Sequence, residues 1–381
     1  MKILSPKKSI VAGLALAGLL AAPQLHAVEN IVIDGGNASR AVQFDRASNI
    51  LTGFTVYVKD ANTRSYIGGT LVGNPGLGTI NLHFALNGAT GGLLNLRDLT
   101  TEPLAYYLNG ASGTSNGVPT LAVSGSYPAT VGVNGSIFNS WPTLVVPFGY
   151  IKNSALSPNL AGVTNLTQRQ VTYLQSASGT LPSAFFGGSS TSDTVYVVGR
   201  DTAAAVRQVI DANIYFTGTP SFWTTNRQSY VTNTAYNAAF GNAFASTPIG
   251  QPVPNPLGGH NSGALVTADL NVIPNAIGTV ASADFGTFTT LSYEGYQPTV
   301  TNVAKGYYPI WGYERWYTRN SGAGQPTANQ LVVLTALYGA VTNNVFQHTP
   351  GNVFDASKFV PIGDLQVQRT QEGGPITSTL Y

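Results

Sequence analysis

Cysteine is absent from the 381 residues. That excludes disulfides, thiol chemistry, any Cys-based zinc site and a lipid anchor on an N-terminal cysteine. Charge is scarce at 9% of residues. The 18 basic and 16 acidic side chains leave no basic footprint for nucleic acid. Histidine is nearly absent, with His83, His260 and His348 far apart outside the N-terminal segment. No H-E-x-x-H and no carboxylate at ligand spacing accompanies them, so a structural or surface role is the expectation rather than a metal site. A Walker loop is also lacking. No local carboxylate pair suggests glycosidase chemistry, although such pairs can be distant in sequence.

Only one long apolar run exists. Lys2, Lys7 and Lys8 precede Ile10–Leu20, Pro23 breaks the run, and Leu25-His-Ala27 resembles a cleavage site. Residues 1–27 read as a secretory signal, too short to span a bilayer. Without its three lysines the chain has 15 basic and 16 acidic residues, a net charge of −1. The expectation is a periplasmic or secreted protein without a membrane anchor, long enough for two lobes.

What the chain has in plenty is glycine, 43 residues, and tyrosine, 19. The first organising stretch is Ile31-Val-Ile-Asp-Gly-Gly-Asn-Ala-Ser-Arg40. Three β-branched or aliphatic residues read as a buried strand. Gly35 and Gly36 permit a sharp turn, and Asn37 is the expected N-cap of a helix through Ala41, Phe44, Ala47 and Leu51. Thr79–Leu86 alternates as a strand and runs into Asn87-Gly-Ala-Thr-Gly-Gly92, a second such corner. Thr194–Val198 and Gly199-Arg-Asp-Thr202 make a third, with a helix expected from Ala203 to about Ala212 under a Thr202 cap. Helix starts aim N–H groups without intrahelical partners at one point, which suits an anion. Ordinary glycine-rich connections would look the same. Arg200 either adds a bidentate fork for an oxyanion or pairs with Asp201 or Asp211.

Elsewhere, Thr55–Val58 and Tyr66–Val72 read as a hairpin, and residues 109–130 as loop. Trp141–Ile151 is a buried strand with Pro147 at an edge or crossover. Thr167-Gln-Arg-Gln170 is a capping box. Residues 248–256 read as loop, Gly258–Gly263 leads into a short helix, Asn275–Val280 into a strand. Tyr307–Tyr317 packs, and Ala328–Val345 is the longest helix. Gly113-Thr-Ser-Asn-Gly117 matches G-x-S-x-G but lacks the strand and helix that a nucleophile elbow needs, so it reads as a turn.

Taken in order, Ile33–Arg40, Ile80–Leu82 with Asn87–Gly92, Val163–Gln170, Tyr196–Asp201, Asn275–Gly278 and Asn302–Pro309 resemble the periplasmic phosphate-binding proteins of ABC transporters. Secreted relatives with a signature like Trp311-Gly-Tyr-Glu314 are closer still. The resemblance covers roughly residues 30–320. It implies an α/β, type II periplasmic-binding fold, two α/β lobes with a hinge and an interlobe cleft. The expected division is 28–147 for lobe I, 148–283 for lobe II and 284–381 for the return to lobe I and the tail.

The resemblance also implies a non-catalytic protein holding a small inorganic, phosphate-like oxyanion, with no cofactor and with an ABC transporter permease as partner. Carried over, the ligand loops are Gly36, Asn37, Ala38 and Ser39, then Gly88, Ala89 and Thr90. Arg200 falls on the family arginine. The family aspartate falls near Ser136, and its Ser–Gly–Thr on Ala204, Ala205 and Val206. Two hydroxyl donors are therefore lost, at about 1.5–3 kcal/mol each for a charged ligand. That expects an altered ligand preference or no tight phosphate binding. The alternative is a structural or interaction protein on the same scaffold with a degraded site; a hydrolase is a more distant reading.

Overall fold

The computed structural model describes residues 28–86, 88–108, 111–225, 248, 250–349 and 353–379. Residues 1–27, expected as a secretory signal, Asn87 and part of the aromatic stretch at 226–247 lie outside the described residues.

Strand β1 (Glu29–Gly35) is buried over its last five residues and ends at the glycine turn. Helix α1 (Arg40–Ile50) follows. Strand β2 (Thr63–Leu71) lies antiparallel to β3 (Ile80–Ala85), and the short strand Thr55–Val58 pairs with β2 as the expected hairpin. Helix α2 (Ala89–Asp98) leads on toward β4 (Leu121–Ser124). Both β3 and β4 run parallel to β1, one on each side.

The long strand β5 (Phe138–Lys152) serves both halves of the molecule. Its first part pairs antiparallel with β9 (Trp311–Arg319), which pairs antiparallel with β4. The first lobe thus has the order β2-β3-β1-β4-β9-β5. Beyond Pro147 the same strand enters the second lobe. There it pairs with β7 (Ala276–Ala281) and β8 (Thr289–Tyr293); β7 runs parallel to β6 (Tyr196–Val198). In the second lobe β5, arriving from the first, is antiparallel to β7 and β8; in the first, β9, arriving from the second, is antiparallel to β4 and β5. This exchange of antiparallel strands is the type II periplasmic-binding arrangement expected from the resemblance.

Pro147 pairs with Trp311, and the Phe148 N–H donates to the Ile310 carbonyl at 3.0 Å. The two chain crossings therefore lie side by side. Proline at that crossing costs no interior ladder bond. Strand β8, beyond residue 284, pairs with Tyr150–Lys152, and β9 pairs with β4 of the first lobe.

Other helices are α3 (Gln168–Ser176), α4 (Ala205–Asn213), α5 (Gly263–Leu270), α6 (Ala328–Val341) and α7 (Asn344–His348). The capping box at Thr167 is present, and a second one at Thr327 starts α6. The expected single helix to Val345 breaks at Thr342, and Asn343 caps α7.

The expectation of loop over 109–130 fails. Glu102–Leu108 and Ala111–Gly117 form a hairpin, and β4 is a central strand. Small polar residues hid the hairpin. Four consecutive buried residues show no alternation because a parallel central strand is covered on both faces. Gly113–Gly117 is consequently strand rather than a turn. Pro252–Pro254, expected as loop, pairs with Trp223–Thr225.

Candidate functional site

At the carboxyl ends of β1, β3 and β4 a cavity of about 370 Å³ opens between the lobes. Open α/β sheets present ligands at this end. Four helix starts border it: residues 36–42 before and into α1, 88–89 at α2, 203–206 at α4 and 261–264 at α5. Two belong to each lobe. None of the four helices carries an acidic residue in its first turn. The first N–H groups of a helix lack partners within it and carry partial positive charge, so the cavity has a field suited to an anion.

Local sequence explains these corners. Gly35 adopts φ +127°, and a Cβ there would lie 2.0 Å from the Val123 carbonyl oxygen. Gly92 lets α2 approach β1, since its Cβ would lie 2.5 Å from the Gly35 Cα. Only glycine fits either place.

Of the expected ligand residues, Gly36, Asn37, Ala38, Ser39, Gly88, Ala89, Arg200, Ala204 and Ala205 border this one cavity. Thr90 and Ser136 do not. Thr90 accepts from the Gln208 side chain at 2.5 Å, and its N–H donates to the Ala203 carbonyl at 3.2 Å. It thereby joins the lobes. Ser136 sits exposed in a short turn and accepts from Asn320 at 2.6 Å. The segment that reaches the cavity after β4 is Gly125, eleven residues earlier.

Two cap assignments also change. Ser39, rather than Asn37, is the N-cap of α1, and its hydroxyl donates to Glu314 instead of capping. Helix α4 starts at Ala205 under Ala204 with no side-chain cap; the Asp201 carboxylate, rather than Thr202, orders the approach by accepting from the Ala203 N–H at 3.1 Å.

Arg200 is 6% exposed and borders the cavity. Its Nε donates to the His260 carbonyl at 3.0 Å and Nη2 to the Asn261 carbonyl at 2.9 Å. That edge of the guanidinium holds the loop before α5 and is not an open fork. Asp211 pairs with Arg207 at 3.4 Å instead of with Arg200.

Acidic groups share the cavity wall. Burial raises the Asp284 carboxyl above its ordinary range, against the pull of Arg200, Arg40 and Lys358. Burial raises Asp201 likewise, against Arg200. Asp355 pairs with Lys358 at 2.9 Å. Glu314 is 1% exposed, and burial pushes it up to about 7 although the Ser39 hydroxyl and Gln43 amide donate to it. Glu314 lies within the Trp311–Glu314 signature, where nothing local marks it as a cavity residue; Asn261–Gly263 also borders the cavity, and its signal in sequence is the glycine-rich approach to α5, which repeats the pattern of the other corners.

Each of the three histidines among the described residues is engaged with a polar side chain, the exposed His348 with Asp364 at 2.9 Å. His260 Nε2 meets Asp269 at 2.5 Å in the second-lobe core, and His83 meets the Ser65 hydroxyl at 2.8 Å. Burial lowers His83 to about 4. Among the described residues no cluster of three or more His, Cys, Asp or Glu could hold a metal, and no helix is long and apolar enough to cross a membrane.

No family model matches the chain, and no curated protein does. Solved structures align over most of its length. An ABC-type phosphate transport receptor from Vibrio cholerae is 14% identical, with TM-score 0.46, covering 81% of this chain and 93% of its own. A candidate phosphate ABC transporter substrate-binding protein from Clostridium perfringens, with bound phosphate, is 11% identical, with TM-score 0.49 and coverage of 88% and 100%. The regulatory domain of CcmR from Synechocystis PCC6803, in complex with 2-PG, is 10% identical, with TM-score 0.40 and coverage of 84% and 99%. The chain's own sheet order and its two strand crossings between lobes are those of the periplasmic-binding fold.

Proposed function

We propose that this is a secreted, non-catalytic solute-binding protein that closes its two lobes on a small solute bearing an oxyanion. The observation that supports this most is the meeting of four helix starts, two from each lobe, on one cavity with Arg200 on its wall. Candidate ligand residues are Gly36–Ser39, Gly88, Ala89, Ala204, Ala205 and the loop at Asn261–Gly263. Backbone N–H groups at Asn37–Ser39, Ala89 and Ala205 would make most of the contacts, because the hydroxyl-bearing corner of the resembled family is here Ala204, Ala205 and Val206, and the N–H groups of Gly36, Gly88 and Ala204 already donate to Val123, Gly35 and Asp201. Delivery to an ABC transporter permease in the periplasm is the corresponding biological role, resting on the family resemblance and the signal-like N-terminus.

Titration calorimetry with phosphate, sulfate and alkylphosphonates tests the reading. Binding heat with at least one of them, accompanied by a thermal shift, is expected. No heat and no shift with any of them rejects it, and self-association with an unliganded cleft would favour a structural protein on the same scaffold.

A further inference from the structure

The cavity is larger and more evenly charged than a bare tetrahedral anion needs. At about 30 Å³ per water, 370 Å³ has room for roughly a dozen waters. A five-atom oxyanion fills a small part of that. The cations on its wall are also already matched. Arg200, Arg40 and Lys358 all act on Asp284, Arg200 acts also on Asp201, and Lys358 pairs with Asp355, so three cations face three of the wall's acidic groups. A dianion would therefore meet a nearly neutral wall.

Glu314 differs from these acids. Its carboxylate accepts from the Ser39 hydroxyl and, at 3.5 Å, from the Gln43 amide; no cationic side chain pairs with it among the described residues. Gln43 is fully buried, and its Oε1 has no hydrogen-bond partner. The Ser39 oxygen also accepts from Gln43 at 3.3 Å. Glu314 and Ser39 border the cavity, whereas Gln43 lies behind them; the carboxylate is thus an acceptor on the cavity wall that meets only neutral donors. A buried carboxylate without a cation is costly, and an ammonium with three donors is the group that answers it.

Resting on the solute-binding reading above, we infer that the cleft takes a zwitterionic solute: an oxyanion head toward the helix starts and a primary ammonium received by Glu314. Glu314 is then the specificity-determining residue. It separates amino-bearing oxyanions from bare phosphate, whose second negative charge it repels when ionised.

The test compares 2-aminoethylphosphonate with propylphosphonate, which replaces the ammonium by a methyl group, and with inorganic phosphate. Calorimetry on the full chain should give at least tenfold tighter binding of the amino compound than of propylphosphonate. Glu314→Gln should reduce that preference to less than about threefold. Equal or tighter binding of propylphosphonate to the natural chain overturns the inference without any variant. Survival of the preference in E314Q, with folding checked by thermal unfolding, also overturns it. Binding of phosphate and propylphosphonate without gain from the amine leaves the oxyanion reading standing and removes this one. Binding of none of the three removes both.

Discussion

Replacing Gln208 by alanine should loosen the closed arrangement of the lobes. Gln208 sits on α4 of the second lobe, and its Oε1 accepts from the Ser126 hydroxyl of the first. Its Nε2 donates to the Thr90 hydroxyl at 2.5 Å, also in the first lobe, and to the Thr202 carbonyl at 2.8 Å within its own. Two bonds therefore cross the cleft. At about 0.5–1.5 kcal/mol per neutral hydrogen bond, Gln208→Ala removes about 1–3 kcal/mol from closure. Since 1.4 kcal/mol is tenfold, the open-to-closed ratio rises by roughly 5- to 150-fold. The backbone bond from Thr90 to Ala203 remains, as does the C-terminal segment. There Glu372 accepts from the Tyr127 N–H at 2.6 Å in the first lobe, and Arg369 donates to Asn213 at 3.2 Å in the second. Partial opening rather than separation is expected. Small-angle scattering of the unliganded variant should show a larger radius of gyration than the natural chain. Any solute that requires closure should bind more weakly by up to the same factor, because the competent fraction falls. Identical scattering and unchanged affinity would refute the view that these contacts govern closure.

Three further outcomes follow from the same geometry. Glu314 binds its proton more tightly in the folded chain than in the unfolded one, rising from 4.5 to about 7. Its contribution is fully present below pH 4.5 and is lost as pH rises through 7, about 3 kcal/mol in all; chemical denaturation at pH 5 and 7.5 should show the decline, and Glu314→Gln should flatten it. Ala204→Ser should cap α4, whose N-cap has suitable extended angles but no side-chain bond; about 1 kcal/mol and a midpoint rise of about 2 °C are expected by calorimetry, and a fall would contradict the capping argument. Gly92→Ala and Gly91→Ala should differ in sign. The first drives a Cβ to within 2.5 Å of the Gly35 Cα, at a cost of about 2 kcal/mol or more, whereas the second meets nothing within 4 Å and gains up to about 1 kcal/mol in urea unfolding.

The sequence carried the corners better than the sheet. Ile31–Gly36 declares itself because an apolar run ends on two glycines, and Thr167 because a capping box is a local pattern. Strand β4 does not, since four small buried residues flanked by Gly, Ser and Thr give neither period nor length. The expected acidic position, Ser136, lies away from the cavity, which Gly125 borders just after β4. Two helix starts lie two residues beyond the expected caps, at Ser39 rather than Asn37 and at Ala204 rather than Thr202, and neither N-cap makes the side-chain bond that would mark it in sequence; the Ser39 hydroxyl goes to Glu314. The role of Glu314 was hidden for another reason. Nothing near β9 in sequence indicates that Ser39 and Gln43, more than 270 residues earlier, will surround it. Arg200 was placed on the cavity by its corner, but its bonds to His260 and Asn261 depend on a loop sixty residues on.

Crystals grown with arsenate, with the arsenic located by its anomalous signal, test most directly whether the cleft is where the solute binds. The account predicts a peak between Ser39, Gly88, Ala204 and Asn261, within hydrogen-bond reach of helix-start N–H groups from both lobes. A peak on another surface, or none in the cleft at saturating arsenate, would contradict it.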